Sequence, residues 1–142
     1  MKSKRLIRSN AGFTMIEIMI IVVIIGILAG LTLPQFVNYF RSQRVVGART
    51  ELLSDISYAR SLAIARRTTF QLVFNGPDYQ IILPGPNTVI REREAPPGVT
   101  ITADADPNFY AHGLSDAANI VVAGGGRNST VNLLPTGMAS HD

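Results

Sequence analysis

The chain has 142 residues, 46% of them hydrophobic, with a formal net charge of +3 and no cysteine. That length accommodates one domain of ordinary size and one extra element. The absence of cysteine excludes a disulfide-stapled scaffold and thiolate metal sites, so the fold must hold by packing and hydrogen bonding alone.

The first residues are basic: Lys2, Lys4, Arg5 and Arg8 precede any acid, and the first acid is Glu17. From Ile18 to Phe40 there is no charged residue. A helix of that length, rising about 1.5 Å per residue, can cross a hydrocarbon layer of roughly 30 Å. The charge asymmetry then places the N-terminus in the cytoplasm and everything after the apolar run outside it. A cleavable secretory signal would cut after small residues, and Ala29 in "GILAG" offers such a place. Yet the run continues past it to Phe40, and Glu17 fits poorly in a signal core. A plain anchor, with Glu17 among the headgroups, is also consistent with these residues. Gly26, Gly30 and Pro34 weaken the helix locally: glycine lowers helix propensity, and proline removes a backbone donor. Glycines four residues apart can equally mark close helix packing in a membrane.

After Pro34 an amphipathic pattern sets in. Val45, Ala48, Leu52, Ile56, Ala59 and Ala63 recur at three- or four-residue steps, with Arg49, Asp55, Arg60 and Arg66 expected mostly off that line. The expected helix runs to about Arg67, joined to the apolar run as one gently bent rod. The period then shortens. "TTFQLVF" alternates as a strand, "NGPD" turns the chain, and "YQIIL" returns as its partner. "PGPN" turns it again before "TVIR". A Pro-Pro-Gly turn leads into a short strand at Val99 to Thr102. Residues 103–118 are expected to be irregular. Two final strands fall at "NIVVA" and "STVNLL", separated by "GGGRN", and the tail "PTGMASHD" is expected to be loose. The fold class is α+β, a long helix packed on a small, mainly antiparallel sheet.

Charge is unevenly spread along this plan. Beyond the four leading cations, nine arginines face ten acids. Six of those arginines lie between Arg41 and Arg67, whereas residues 68–142 hold three arginines and seven acids. A basic stem thus joins an acidic head. Either both are simply solvated, or stems and heads of neighbouring copies attract.

The stretch "GFTMIEIMIIVVIIGILAGLTLPQF" resembles the leader junction and helix start of type IV prepilins and type II secretion pseudopilins. A basic leader ends in Gly12, Phe13 follows, and Glu17 is fifth counting from Phe13. The resemblance implies cleavage between Gly12 and Phe13 by a prepilin peptidase, and methylation of the new Phe13 amine. It implies that Glu17 neutralises the Phe13 amine of an adjacent subunit, and that the region around Gly26, Gly30 and Pro34 can kink or melt during assembly. It further implies partnership with other pilins or pseudopilins in a filament, with an inner-membrane assembly platform and with the lipid bilayer. Residues 1–12 would be leader, 13–40 the membrane and assembly helix, and 41–142 a periplasmic head with a helix at 41–67 and a sheet at 68–142. A second stretch, "ELLSDISYARSLAIARRTTFQLVF", with the ending "TVNLLPTGM", resembles the GspH/FimT group of minor pilins.

Elements of catalysis are missing from the pattern. There is no Gly-x-Ser-x-Gly, His-Glu-x-x-His or Cys-x-x-Cys, and His112 and His141 fall in segments read as loop and tail. "GGGRNST" lacks the Gly-Lys-Ser/Thr ending of a phosphate loop and reads as a hairpin turn, although Asn128 matches a glycosylation sequon. "DADPN" spaces Asp104, Asp106 and Asn108 like a calcium loop, but Phe109 and Ser115 stand where such a loop needs glycine and glutamate. Some FimT-type pilins bind DNA through arginines after a C-terminal glycine. Here Gly137 is followed by Met138, Ala139, Ser140, His141 and Asp142, so DNA is not an expected partner. The expectation is a structural minor subunit of a secretion pseudopilus or a pilus, with no enzymatic activity and no cofactor; the alternative is a pilus-tip minor pilin that binds DNA for natural transformation or serves attachment.

Overall fold

The computed structural model describes residues 12–141, with side chains at 12–31, 37 and 39–140. The basic leader up to residue 11 and the side chain of Pro34, on which part of the expected processing and kinking rests, lie outside the described residues. The chain divides into two compact units between Phe36 and Val37.

A helix, α1, spans Met15–Arg66. Its backbone remains helical through Gly26, Gly30, Pro34 and Gly47. It ends where Arg67 takes a left-handed conformation, φ 51°. There the Thr68 N–H returns to the Ala63 carbonyl at 3.2 Å, satisfying one of the last carbonyls of the helix.

In the second unit the expected apolar stripe is the buried face of α1. Val45, Ala48, Leu52, Ile56, Ala59 and Ala63 are all buried. They pack on eight strands: β1 Phe70–Asn75, β2 Asp78–Leu83, β3 Thr88–Arg93, β4 Val99–Ala103, β5 Asn108–Phe109, β6 Ala118–Gly124, β7 Arg127–Leu133 and β8 Ala139–His141. These form two four-stranded sheets rather than one, in the orders β3-β2-β1-β5 and β4-β6-β7-β8. Every pairing is antiparallel. Alternation along the strands supplies the core. Phe70, Leu72, Tyr79, Ile81 and Phe109 come from the first sheet, and Val99, Ile101, Ile120, Val122, Val131 and Leu133 from the second. Each fully buried aliphatic or aromatic side chain contributes about 1.5–3 kcal/mol relative to exposure.

Two turns follow directly from their residues. Asn75 pairs with Asp78 across Gly76-Pro77, and Gly76 has φ 66°, as a two-residue hairpin with glycine first requires. Gly124 pairs with Arg127 across Gly125 and Gly126, both at positive φ.

The structure corrects two segments. Residues 103–118 are not wholly irregular, because Asn108 and Phe109 pair with Gln71 and Phe70, and Phe109 bridges to Ser115. The tail is not loose either. Gly137, at φ 73°, donates to the Leu134 carbonyl, and Leu134 donates to the Met138 carbonyl, each at 2.9 Å. The chain therefore reverses, and β8 adds to β7 with Leu133 opposite Ala139.

Candidate assembly surface

The helix begins with a cap. The Glu17 N–H donates to the Thr14 hydroxyl at 3.3 Å and to the Thr14 carbonyl at 3.1 Å. Thr14 is thus the N-cap, and Glu17 occupies the third helical position, where a carboxylate also complements the positive end of the helix dipole. Sequence reasoning passed over Thr14, although threonine three residues before glutamate, ahead of an apolar run, is the pattern of a capping box. Gly12 and Phe13 precede the helix and are exposed, Phe13 by 75%. The Gly12–Phe13 peptide bond therefore lies in accessible, non-helical chain, and the Glu17 carboxylate is exposed one turn away.

From Ile18 to Leu31 the helix offers no charged side chain on any face. Ile18, Met19, Ile20, Ile21, Val22 and Val23 are consecutive and all exposed, and large apolar side chains continue exposed to Leu31. A helix that is apolar all round needs an apolar environment on every side, supplied by lipid or by other helices. A Cβ built on Gly26 or Gly30 meets nothing within 4 Å, so both positions present open backbone to whatever packs there. Among the described residues, no helix is long and apolar enough to cross a membrane.

In the second unit a polar cluster ties α1 to the first sheet. Asp55, expected off the apolar line, is buried instead, with its side chain only 1% exposed. Its Oδ1 accepts from Arg91 Nη1 at 2.5 Å, and its Oδ2 from Arg93 Nε at 2.9 Å and the Tyr79 hydroxyl at 3.0 Å. Arg93 also reaches Glu51 at 3.1 Å, and the Arg91 guanidinium lies 4.1 Å from the Tyr58 ring centroid. Burial pushes the Asp55 carboxyl upward, but the hydrogen bonds from Arg93, Arg91 and Tyr79 outweigh it and hold the pKa below the usual carboxylate range. Burial, then the Asp55 charge, pushes the Tyr79 hydroxyl well above its ordinary value. A signal for this cluster existed: Asp55 lies three residues after Leu52 and four before Ala59, on the stripe itself.

The acids of "DADPN" serve the fold. Asp104 accepts from the Asn119 backbone and side chain at 2.8 and 3.0 Å, and Asp106 accepts from the Phe74 N–H at 2.9 Å. Asp116 receives Asn108 and Tyr110. Among the described residues, no group of histidine and acidic side chains could hold a metal ion. His112 stacks on Tyr110, with ring centroids 5.7 Å apart.

Residues 48–137 match the family model for type II transport protein GspH, and residues 7–33 match the prokaryotic N-terminal methylation motif. A fimbrial protein of Pseudomonas aeruginosa is 44% identical over 56 residues, covering 39% of this chain and 34% of that protein. The type IV major pilin protein PilA of Myxococcus xanthus is 42% identical over 52 residues, covering 37% of this chain and 24% of that protein. The matched stretches thus span about a quarter to a third of those relatives' length. The crystal structure of the Pseudomonas aeruginosa type IV minor pilin FimU superposes with a TM-score of 0.61 at 15% identity, covering 71% of this chain and 90% of that one. That likeness is one of fold.

Proposed function

The chain belongs to the GspH family of type II transport proteins and is pilin-like, and on that premise we propose that it is a minor subunit of a type II secretion pseudopilus or a type IV pilus. A single observation carries the reading. An apolar helix exposed on every side begins, one capped turn after the non-helical Gly12–Phe13 bond, with an exposed carboxylate. Family membership implies assembly with other pilins in a filament.

In this reading a prepilin peptidase cuts between Gly12 and Phe13 on the cytoplasmic face, and the Phe13 amine is methylated. The subunit waits in the inner membrane with its head in the periplasm, until an assembly platform draws it into the filament. The cut creates an ammonium at Phe13. Packing among apolar helices removes both that ammonium and the Glu17 carboxylate from water. Unpaired, each opposes the transfer by several kcal/mol. Paired across subunits, they attract in a low dielectric and set the register of one helix against the next. The helix around Gly26, Gly30 and Pro34 yields as the subunit moves. The role is structural, with no reaction catalysed.

Glu17 also stands at a capping position, so the decisive variant keeps that role and removes the charge. Glu17→Gln retains the side chain's hydrogen-bonding shape. Its expected behaviour is normal removal of the leader, seen by intact-protein mass spectrometry, with loss from sheared filaments on immunoblots. Incorporation at the wild-type level would refute the pairing. Deleting the subunit and scoring exported proteins, surface motility and DNA uptake together assigns the machine it serves.

A further inference from the structure

At the start of the second unit, Val37, Tyr39 and Phe40 are exposed, the two aromatic rings by 58% and 59%. Arg41 and Arg44 follow, three residues apart and so on one face of α1. Arg44 Nη1 donates to the Pro97 carbonyl at 3.0 Å. Neither arginine has a carboxylate partner among the described residues, where every ion pair belongs to Arg91 or Arg93. Arg41, Arg44, Pro97, Gly98 and Gly125 line an open cleft of about 440 Å³. A second cleft, of about 350 Å³, shares both arginines and is completed by Val37 and Phe40. Among the described residues, no acid lines either one.

The glycine run at the β6–β7 turn builds this cleft. A Cβ on Gly125 would lie 2.6 Å from Arg41 Cβ, and one on Gly124 would lie 2.5 Å from the Gly98 carbonyl oxygen. Only residues without side chains let the turn sit this close to the helix and to the 97–98 loop. The result is two adjoining clefts that share Arg41 and Arg44, one of them with an apolar border from Val37 and Phe40.

We propose that this pair of clefts holds the phosphate of an anionic phospholipid headgroup, with Phe40 and Val37 against the start of the acyl chains. The inference rests on the reading that residues up to Phe40 lie in a bilayer. Arginines just beyond a span on its exported side run against the bias of membrane topology, so two of them without a carboxylate partner call for an anionic one. Arginine presents the fork geometry that phosphate accepts, and exposed aromatic rings are at home at headgroup depth. A free phosphate would leave the aromatic border without a role, which favours the lipid.

The test uses the full chain in a non-ionic detergent, titrated by thermophoresis with short-chain phosphatidylglycerol, short-chain phosphatidylcholine or inorganic phosphate. The expected result is binding of phosphatidylglycerol, weakened about thirtyfold in Arg41→Gln/Arg44→Gln, given the usual worth of two such contacts. Arg41→Lys/Arg44→Lys should retain most of it, and Arg66→Gln, at the far end of α1, all of it. Both altered side chains are exposed, so the far-UV melting curve of the glutamine variant should match the parent. Should it not, Arg41→Gln alone replaces it, with a fivefold or greater loss expected. Unchanged affinity in the glutamine variant, or equal binding of phosphatidylcholine, overturns the proposal. Displacement of the lipid by inorganic phosphate at equal affinity also overturns it, in favour of a free-anion site. Carbonate washing of membranes separates the two readings: release of the chain defeats the bilayer reading, whereas retention without a preference for phosphatidylglycerol defeats only this site.

Discussion

Replacing Asp55 by alanine removes the acceptor of three hydrogen bonds from the interface between α1 and the first sheet. The buried Tyr79 hydroxyl then loses the partner it has in the fold, and an unsatisfied buried donor costs about 1–3 kcal/mol. The two arginines are 34% and 37% exposed and can recover water, so each pair is discounted to the surface value of about 0–1 kcal/mol. Relief of the carboxylate's own desolvation offsets part of this. The expected net loss is about 2–3 kcal/mol, which at about 4–8 °C per kcal/mol lowers the melting temperature by roughly 10–20 °C. The assay is urea unfolding of residues 37–142, followed by far-UV circular dichroism. Tyr79→Phe alone should lose about 1 kcal/mol, and in the Asp55→Ala background it should instead recover about 1–3 kcal/mol by removing the unsatisfied hydroxyl. The same cluster predicts a pH dependence. The Asp55 pKa is lower in the fold than in the unfolded chain, where it is about 3.9, so the unfolded state takes up the proton first as pH falls. The stabilisation is therefore complete above about pH 4 and is lost as pH drops through the native value. Asp55→Asn should flatten that acid limb. A loss under about 0.5 kcal/mol in Asp55→Ala, with an unchanged acid limb, would show that the cluster contributes specificity at most.

Gly12→Ala should leave a precursor that retains its leader in intact-mass spectra, and normal processing would remove the cleavage reading. Thr14→Ala deletes the hydroxyl that caps the Glu17 amide, and at about 1 kcal/mol for a cap its exchange should quicken about fivefold in micelles; an unaltered rate would deny the cap. Gly137→Ala should destabilise the head by about 2–4 kcal/mol, because its Cβ would sit 2.5 Å from the Gly113 carbonyl oxygen as well as at positive φ. Gly126→Ala, at positive φ but in open space, should lose only the backbone strain, about 1–2 kcal/mol. Equal losses at the two sites would mean that close approach plays no part at Gly137.

What the sequence disclosed about this fold was local. The α1 stripe from Val45 to Ala63 was legible because its spacing is that of one helix face, and the β1–β2 hairpin because Asn-Gly-Pro-Asp carries its own turn chemistry. What escaped depends on distant partners. Asp55 is polar, and its burial makes sense only once Arg91 and Arg93, 36 and 38 residues away, fold over it. The last strand has no alternation of its own, and its order comes from the Gly137 turn that lays it along β7. That the hairpins sort into two sheets is likewise absent from any single segment, since hairpin signals name neighbours in sequence and leave the edges open. At the N-terminus, the motif from Gly12 to Glu17 shows its charge in the sequence, whereas the capping role of Thr14 depends on where the first helical turn begins.

Among the described residues, every fully buried side chain of the hydrophobic core lies between Val45 and Leu133, inside the second unit. The interior of the globular portion is thus built from residues of its own unit. On the proposed reading that the apolar segment passes from lipid into a filament, an interior built within the second unit need not be remade at each transfer.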